Sequence, residues 1–350
     1  MMPFQKLYKR KSLPEAAFLL EEGEVFFYLN NTDKYSIKGK KFIVGATELI
    51  MRQILKEDIN REETAIATES SVLKRIPLEK FMSGIETFPF LLNVSAVIAK
   101  QVLLTNEIIK SSMEELGGDE FVLKELSVKY FLLVERLKEE YTKRKYPWMA
   151  PLVKDEEASL LYKSGEMHYK SSAPLKFMNV VDISESMTEY EAGSTICEEG
   201  SIGSEMYILR RGCIDVMVNK NKIAVIEEEG TVVGEMAMLL GGKRTATLMA
   251  KNDVVLSKIT KEGLKNISLN DLSLMRNIME SIAKRHYYNT VKIGDINEKI
   301  LSKSLDENDD GRVSSRINHA QELTDKLIGK IEKLYMEKKQ DFLKEIIKNF

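Results

Sequence analysis

The sequence contains little cysteine and no excess of charge of either sign. Only Cys197 and Cys213 occur among 350 residues, which excludes a disulfide scaffold, and their spacing matches no zinc motif. The three histidines are scattered along the chain, so no metal site is predicted. A net charge of −2 lowers the expectation of a nucleic-acid-binding surface. We therefore expect a cytoplasmic protein with no structural metal, for which DNA is an unfavoured partner.

Long hydrophobic runs are also missing. The N-terminus is basic, but Glu15, Glu21 and Glu22 interrupt it before an apolar segment long enough for a signal peptide develops. The most apolar run begins at Phe88 and is broken by polar residues: Asn93, Ser95, Lys100 and Gln101. The uninterrupted stretch is shorter than a membrane span requires, so it predicts a buried helix and no membrane association.

Two β-rich segments form an internal repeat. Residues 24–78 and 187–259 each contain short strand-like runs separated by turn residues. FIVGATELIM, from Phe42, aligns with VVGEMAMLL, from Val232, and each copy ends in a strand followed by a helix. The pattern predicts an α+β fold with two small antiparallel β-barrels, flanking helices and a helical C-terminal region.

The segment GEMAMLLGGKRTATLMA, from Gly234, places one carboxylate and one guanidinium among apolar residues. A core strand does not need Glu235, and a surface loop does not need so much methionine and leucine. The mixture therefore predicts that Glu235 and Arg244 are held at a fixed separation in a hydrophobic pocket. The alternative is a simple salt bridge between the two side chains near a surface turn.

The second copy resembles a cyclic nucleotide-binding domain. The resemblance rests on Tyr190-x-x-Gly193-x-x-Ile196, Glu199-Gly200, Met206-Tyr207-Ile208-x-x-x-Gly212, Val216-x-Val218, Gly234-Glu235-Met236-Ala237 and Arg244-Thr245-Ala246. It covers most of the second copy and, weakly, part of the first. It implies barrels of the double-stranded β-helix or jelly-roll type, as in cAMP receptors and regulatory subunits, with cAMP or cGMP as the ligand.

The resemblance also implies the residues that bind the nucleotide. They are Gly234, Glu235, Met236, Ala237, Arg244, Thr245 and Ala246. The planar guanidinium of Arg244 suits phosphate oxygens, and Glu235 is an acceptor for the ribose 2′-hydroxyl. The residues between them are expected to form a short helix whose first N–H groups face the phosphate. Cyclic AMP is favoured over cyclic GMP, and both stay open because Thr245 is compatible with either.

The first copy departs from this pattern. Ala46 stands where the glutamate is expected, and Glu63 stands where the arginine is expected. Because a carboxylate repels a phosphate, this copy is predicted to have a structural or docking role. The alternative is a different ligand or a rebuilt site that uses Arg52 or Arg61.

The region after the second copy is predicted to be helical. A helix over 270–292 carries Tyr287 and Tyr288, which are either a lid over the nucleotide base or packing residues. The acidic segment from Asp306 has the spacing of a calcium loop, but Ile317 replaces the final glutamate, so a solvated loop is predicted. The C-terminal helix carries an apolar stripe formed by Leu323, Leu327, Ile331 and Leu334. This stripe must be covered by helices 86–145, by a second copy of the chain or by another protein.

Four consecutive segments are expected. They are a degenerate nucleotide-binding-like domain (1–112), a helical connector (113–175), a cyclic nucleotide-binding domain (176–292) and a helical tail (293–350). No motif of an enzyme active site is found, so the prediction is a non-enzymatic sensor that moves its C-terminal helices when it binds nucleotide. Its partner is an unknown effector protein or a second copy. The alternatives are a nucleotide-dependent transcription regulator and a regulatory subunit of a separate enzyme.

Overall fold

The structure is a computed structural model that describes residues 4–30, 33–116, 118–172, 175–176, 187–218, 220–305 and 309–347. The chain divides into two compact units. The first unit comprises Met1–Thr105 and Ala173–Tyr287, and the second comprises Asn106–Ser172 and Tyr288–Phe350. Both β-rich copies thus lie in the first unit. The linear division into four segments stays a prediction.

Fifteen strands and eleven helices occur in the described residues. The strands are β1 (Phe4–Tyr8), β2 (Ala16–Tyr28), β3 (Lys34–Gly39), β4 (Phe42–Val44), β5 (Thr64–Thr68), β6 (Val72–Pro77), β7 (Leu175–Lys176), β8 (Met187–Tyr190), β9 (Thr195–Cys197), β10 (Glu205–Arg211), β11 (Ile214–Val218), β12 (Asn221–Ile226), β13 (Thr231–Val233), β14 (Thr247–Ala250) and β15 (Val254–Thr260). The helices are α1 (Thr47–Leu55), α2 (Leu78–Gly84), α3 (Phe88–Leu116), α4 (Gly118–Arg144), α5 (Met149–Glu157), α6 (Leu160–Ser172), α7 (Glu235–Leu240), α8 (Lys261–Asn270), α9 (Ser273–Leu305), α10 (Asp309–Lys338) and α11 (Phe342–Ile347).

Both copies are built from antiparallel strands, but their sheets are not closed barrels. In the first copy the long strand β2 pairs through one half with β4 and β6 and through the other half with β3 and β5. The second copy has two sheets, in the orders β7-β13-β10-β15-β8 and β12-β11-β14-β9. Among the described residues no strand pairing joins these two sheets. The mixture of helices and antiparallel sheets is confirmed, whereas the arrangement as two small barrels is not confirmed.

The two copies share one hydrophobic core within the first unit. The first copy contributes residues of β4, α1, α2 and α3, and the second contributes residues of β10, β13, α7, α8 and α9. Representative members of this core are Ile43, Leu49, Phe81, Ile98, Ile208, Val232, Met238, Ile278 and Ile282. Because apolar burial is the main source of folding free energy, the two copies form one folding unit and are not independent of each other.

Helix α3 is longer than the sequence pattern suggested. It has 29 residues, and its segment Phe88–Met113 is long and apolar enough by composition to cross a membrane, with half of the most apolar window buried. The prediction that the apolar run is too short was therefore wrong. Leu91, Val94, Ile98 and Val102 lie in the core of the first unit, which agrees with the predicted buried helix.

The second unit is helical. Leu327 and Ile331 of α10 and Leu343 and Ile346 of α11 are buried against α4, α5 and α6, and Leu323, Leu334 and Phe342 pack at the edge of the same cluster. The apolar stripe is therefore covered by helix 118–144 of its own chain, one of the predicted arrangements.

The described part of the acidic segment is helical. Residues 306–308, which include the first calcium-loop positions, lie outside the described residues. Asp310 and Gly311 belong to α10, so the solvated loop predicted for residues after 308 is wrong. A helix does not turn its backbone around an ion as a calcium loop must.

Candidate functional site

The segment from Gly234 forms a short helix that is buried in the second copy. Strand β13 ends at Val233, and Gly234 adopts a left-handed conformation (φ 81°) that starts α7. Gly241, also left-handed, ends the helix. Residues 235–239 are buried, and Met236, Met238 and Leu239 belong to the shared core. The apolar face of α7 thus anchors a segment whose first residue is a carboxylate.

Arg244 lies beside this helix and is 5% exposed. Its Nη1 donates to the carbonyl oxygens of Glu205 (2.7 Å) and Gly234 (3.2 Å), and its Nη2 is 3.4 Å from Glu205 Oε1. The guanidinium also lies 5.5 Å from the centre of the Tyr207 ring. Within the described part of the chain, no residue accepts a hydrogen bond from Nε. Arg244 therefore keeps donors for an anion while its orientation is fixed by neighbours.

Two glycines leave room for the guanidinium. A Cβ atom at Gly203 would lie 2.5 Å from Arg244 Nε, and one at Gly234 would lie 2.4 Å from Nη1. Any side chain at either position would push Arg244 away. The left-handed backbone of Gly234 adds a second reason for glycine there. The residues present fit the phosphate of a cyclic nucleotide in charge, because the guanidinium is buried and held by the carbonyl oxygens of Glu205 and Gly234.

Glu205 is a supporting residue that sequence reasoning missed. Its carboxylate accepts hydrogen bonds from Ser204 (2.7 Å) and Tyr207 (2.9 Å). Burial alone would raise the pKa of Glu205, but these hydrogen bonds, with the charges of Lys258 and Arg244, lower it below its ordinary value. Glu205 is therefore an anion that holds Arg244. The only signal in the sequence was its place one residue before the Met206-Tyr207-Ile208 motif.

Glu235, 4% exposed, accepts a hydrogen bond from Arg285 Nη1 at 2.8 Å. Arg285 lies on α9, 50 residues further along the chain. The simple salt bridge between Glu235 and Arg244 is thus wrong, because each side chain has a different partner. Arg285 lies on the predicted lid helix 270–292, and the sequence pattern assigned no role to its side chain.

The remaining predicted residues differ in burial. Met236 and Ala237 are buried in α7, Thr245 is exposed, and Ala246 is half-buried before β14. Tyr287 and Tyr288 are half-buried on α9, at the boundary between the two units. The structure brings Gly234 and Arg244 into direct contact, whereas the base lid stays a prediction.

In the first copy, Arg61 takes the position that Arg244 has in the second. Arg61 Nη1 donates to the carbonyl oxygen of Gly45 (2.7 Å), the glycine that precedes α1, and its guanidinium lies 4.1 Å from the centre of the Tyr8 ring. The same Nη1 donates to Glu48 Oε2 at 2.8 Å, and both side chains are at most 2% exposed. A carboxylate of the chain itself therefore neutralises this arginine.

Of the two arginines considered for a rebuilt site, Arg61 is enclosed and Arg52 pairs with exposed Asp58 at 2.7 Å. Glu63, aligned with Arg244, is buried and accepts hydrogen bonds from Tyr8 (3.1 Å) and Tyr35 (2.6 Å). Burial and the nearby Glu48 charge raise the pKa of Glu63 to about 8. Arg61 is thus neutralised by Glu48. Because a raised pKa favours the neutral form of Glu63, the repulsion of a phosphate by this side chain stays a prediction.

Comparison with known proteins identifies the second copy. Residues 187–271 match the family model of the cyclic nucleotide-binding domain. A cGMP-dependent protein kinase of Plasmodium berghei is 32% identical over 112 residues, which are 31% of this chain and 13% of the kinase. A cAMP-dependent protein kinase regulatory subunit of Schizosaccharomyces pombe is 32% identical over 88 residues, 25% of this chain and 21% of that subunit. The chain therefore spans about a fifth or less of these relatives.

Solved structures superpose on the chain only with low TM-scores. The regulatory domain of Toxoplasma gondii PKA with cAMP is 12% identical and covers 79% of this chain and 80% of its own, with a TM-score of 0.24. The structure of cAMP-bound PfPKA-R (141–441) is 16% identical and covers 88% of this chain and 82% of its own, with a TM-score of 0.26. From the match of the family model, residues 187–271 are a cyclic nucleotide-binding domain.

Proposed function

We propose that the protein is a non-enzymatic sensor that binds one cyclic nucleotide per chain, in the second copy. The observation that carries this proposal is the arrangement at α7. Arg244 is held by Glu205 with donors left over, and Glu235 is held by Arg285 at the start of the same helix. Arg244 would bind the phosphate, and the Glu235 oxygens that do not face Arg285 would accept the 2′-hydroxyl.

We further propose that nucleotide binding acts on α9. Arg285 connects this helix directly to the nucleotide-contacting carboxylate, so ligand binding and the position of α9 are coupled. Tyr287 and Tyr288, two and three residues beyond Arg285, are the proposed cover for the base. The helices that follow α9 would carry the signal to an effector.

The experiment that tests the proposal is titration calorimetry of the intact chain with cAMP and cGMP. A stoichiometry of one supports it, with cAMP expected to bind more tightly than cGMP. A stoichiometry of two would place a second site in the first copy. Absence of binding to either nucleotide would overturn the proposal.

A regulatory subunit of a separate enzyme is the second candidate, favoured by the similarity to the cAMP-dependent protein kinase regulatory subunit of S. pombe. Affinity capture of partners with and without the nucleotide tests this candidate. Retention on DNA under the same conditions tests the transcription-regulator alternative. A nucleotide-dependent change in the hydrogen exchange of residues 317–347 would show that the C-terminal helices respond.

A further inference from the structure

Helix α9 contacts the two copies through neighbouring residues. Arg285 donates to Glu235 of the second copy, and His286 contacts Thr47 and Tyr35 of the first. Consecutive helical residues point about 100° apart, so these two side chains leave α9 in different directions. Within the first unit, α9 is therefore held on two sides at the level of the nucleotide site.

The contacts of His286 use both ring nitrogens. The ring is fully buried, with Nδ1 2.8 Å from Thr47 Oγ1 and Nε2 3.0 Å from the Tyr35 hydroxyl. The Tyr35 hydroxyl donates to Glu63 and accepts from Gln101 Nε2 at 2.9 Å. The hydroxyls of Tyr35 and Thr47 can each donate or accept, so both ring nitrogens have a hydrogen-bonding partner in either neutral tautomer. Both nitrogens of the buried ring therefore have partners from the first copy.

This arrangement defines one position of α9. A rotation or a one-residue shift of the helix would remove the partners of both ring nitrogens in a site without solvent. Leaving buried polar groups unsatisfied costs free energy, so the position with His286 between Thr47 and Tyr35 is strongly favoured. When His286 lies in this position, the adjacent Arg285 is within hydrogen-bonding distance of Glu235.

We propose that His286 is a positioning residue for the nucleotide site, through which the first copy sets the affinity of the second. The anchored ring holds Arg285 where it neutralises buried Glu235, so that the carboxylate is in place for the ribose. The first copy, whose own arginine is neutralised by Glu48, supports ligand binding without binding a ligand. This inference rests on the proposed binding of a cyclic nucleotide in the second copy.

Two tyrosines offer a matched pair of variants. Tyr35 and Tyr8 are both buried and both donate to Glu63, but only Tyr35 contacts His286. Tyr35→Phe should weaken binding of cAMP by about two- to thirtyfold, as expected for loss of a coupling contact. Tyr8→Phe, which loses the same group, should leave the affinity unchanged. Equal affinities in the two variants would overturn the inference, and so would tighter binding by Tyr35→Phe.

Thr47 provides an independent test if Tyr35→Phe does not fold. Thr47→Val removes the hydroxyl bonded to Nδ1 but keeps the shape, whereas Thr47→Ser keeps the hydroxyl. Only Thr47→Val should weaken nucleotide binding, and the serine variant should bind like the original chain. A simple packing role for Thr47 predicts the opposite order, because valine preserves the methyl group.

A measurement without nucleotide separates this inference from the proposed function. Hydrogen exchange of α7 and of α9 around Arg285 should be faster in Tyr35→Phe than in Tyr8→Phe when no ligand is added. If the original chain binds neither cAMP nor cGMP, the proposed function fails, but this difference still tests the anchoring of α9. Identical exchange in both variants would show that His286 does not position Arg285.

Discussion

Arg61 and Arg244 make the same contact in the two copies: each donates from Nη1 to the carbonyl oxygen of the glycine that precedes a short helix. They differ in what neutralises them. Arg61 forms an ion pair with Glu48 of α1, the short helix of the first copy, whereas Arg244 forms an ion pair with Glu205 of strand β10. The two copies thus share the contact to the glycine carbonyl and differ in the element that supplies the carboxylate.

Replacement of Arg244 should abolish most nucleotide binding. Arg244→Ala removes a charge-assisted contact to the phosphate, which typically contributes about 1.5–3 kcal/mol, so affinity should fall by roughly ten- to a hundredfold or more. Calorimetry measures this loss. Arg211→Ala, an exposed arginine on β10, is the control and should bind normally. Unchanged affinity in Arg244→Ala would mean that the phosphate binds elsewhere.

Replacement of Glu235 should remove discrimination at the ribose. The original chain is expected to prefer cAMP over 2′-deoxy-cAMP, because only the former has a hydroxyl to donate to Glu235. Glu235→Ala should bind both nucleotides with similar, weakened affinity. Competition binding with the two ligands measures the ratio. A preference that persists in Glu235→Ala would assign the 2′-hydroxyl to another residue.

Loss of the buried ion pair in the first copy should destabilise the fold. Arg61→Leu removes the cation paired with buried Glu48 and the donor to the carbonyls of Gly45 and Ala16, and it leaves Glu48 only the backbone N–H of Glu62 at 3.3 Å, so the free energy of unfolding should fall by about 3–5 kcal/mol. Arg52→Ala, which removes an exposed pair with Asp58, should cost about 1 kcal/mol or less. Chemical denaturation compares the two. Equal effects would contradict the structural role of Arg61.

Two buried groups of the first unit should make stability depend on pH in opposite directions. The pKa of Glu63 is raised to about 8 by burial and by Glu48, so the folded state holds a proton that the unfolded state releases. Its contribution is complete below its unfolded pKa and is lost as pH rises toward 8. Burial lowers the pKa of His286 to about 4, so its contribution is present above its unfolded value, 6.5, and is lost as pH falls toward 4.

The unfolded pKa values of Glu63 and His286 are 4.5 and 6.5, and between them the effects of the two groups on stability oppose each other. The stability that these groups contribute should therefore fall clearly only above about pH 6.5 and below about pH 4.5. Denaturation curves across this range measure it. Glu63→Gln should remove the decline on the alkaline side, and the acid-side decline due to His286 should then begin at about pH 6.5. A decline above pH 6.5 that is unchanged in Glu63→Gln would assign it to other groups.

Local patterns in the sequence were enough to find the repeat, the helical C-terminal region and the buried segment around α7 that is predicted to bind the nucleotide. Each depends on neighbouring residues: strand alternation, helical spacing, and the glycines around α7. The stripe of α10 was also visible because its residues recur at helical intervals. These features are encoded within a few turns or one hairpin, where chain connectivity restricts the possible geometry.

Tertiary structure alone decided which side chains hold the site. Arg285 reaches Glu235 across 50 residues, and His286 reaches Tyr35 across 251. Alignment placed Glu63 opposite Arg244, yet Arg61 makes the equivalent contact, because the intervening loop is longer and a guanidinium can reach the glycine carbonyl from another position. The open sheets likewise depend on which strand edges meet. Such contacts depend on the packing of distant segments into a shared core, and no local pattern specifies that packing.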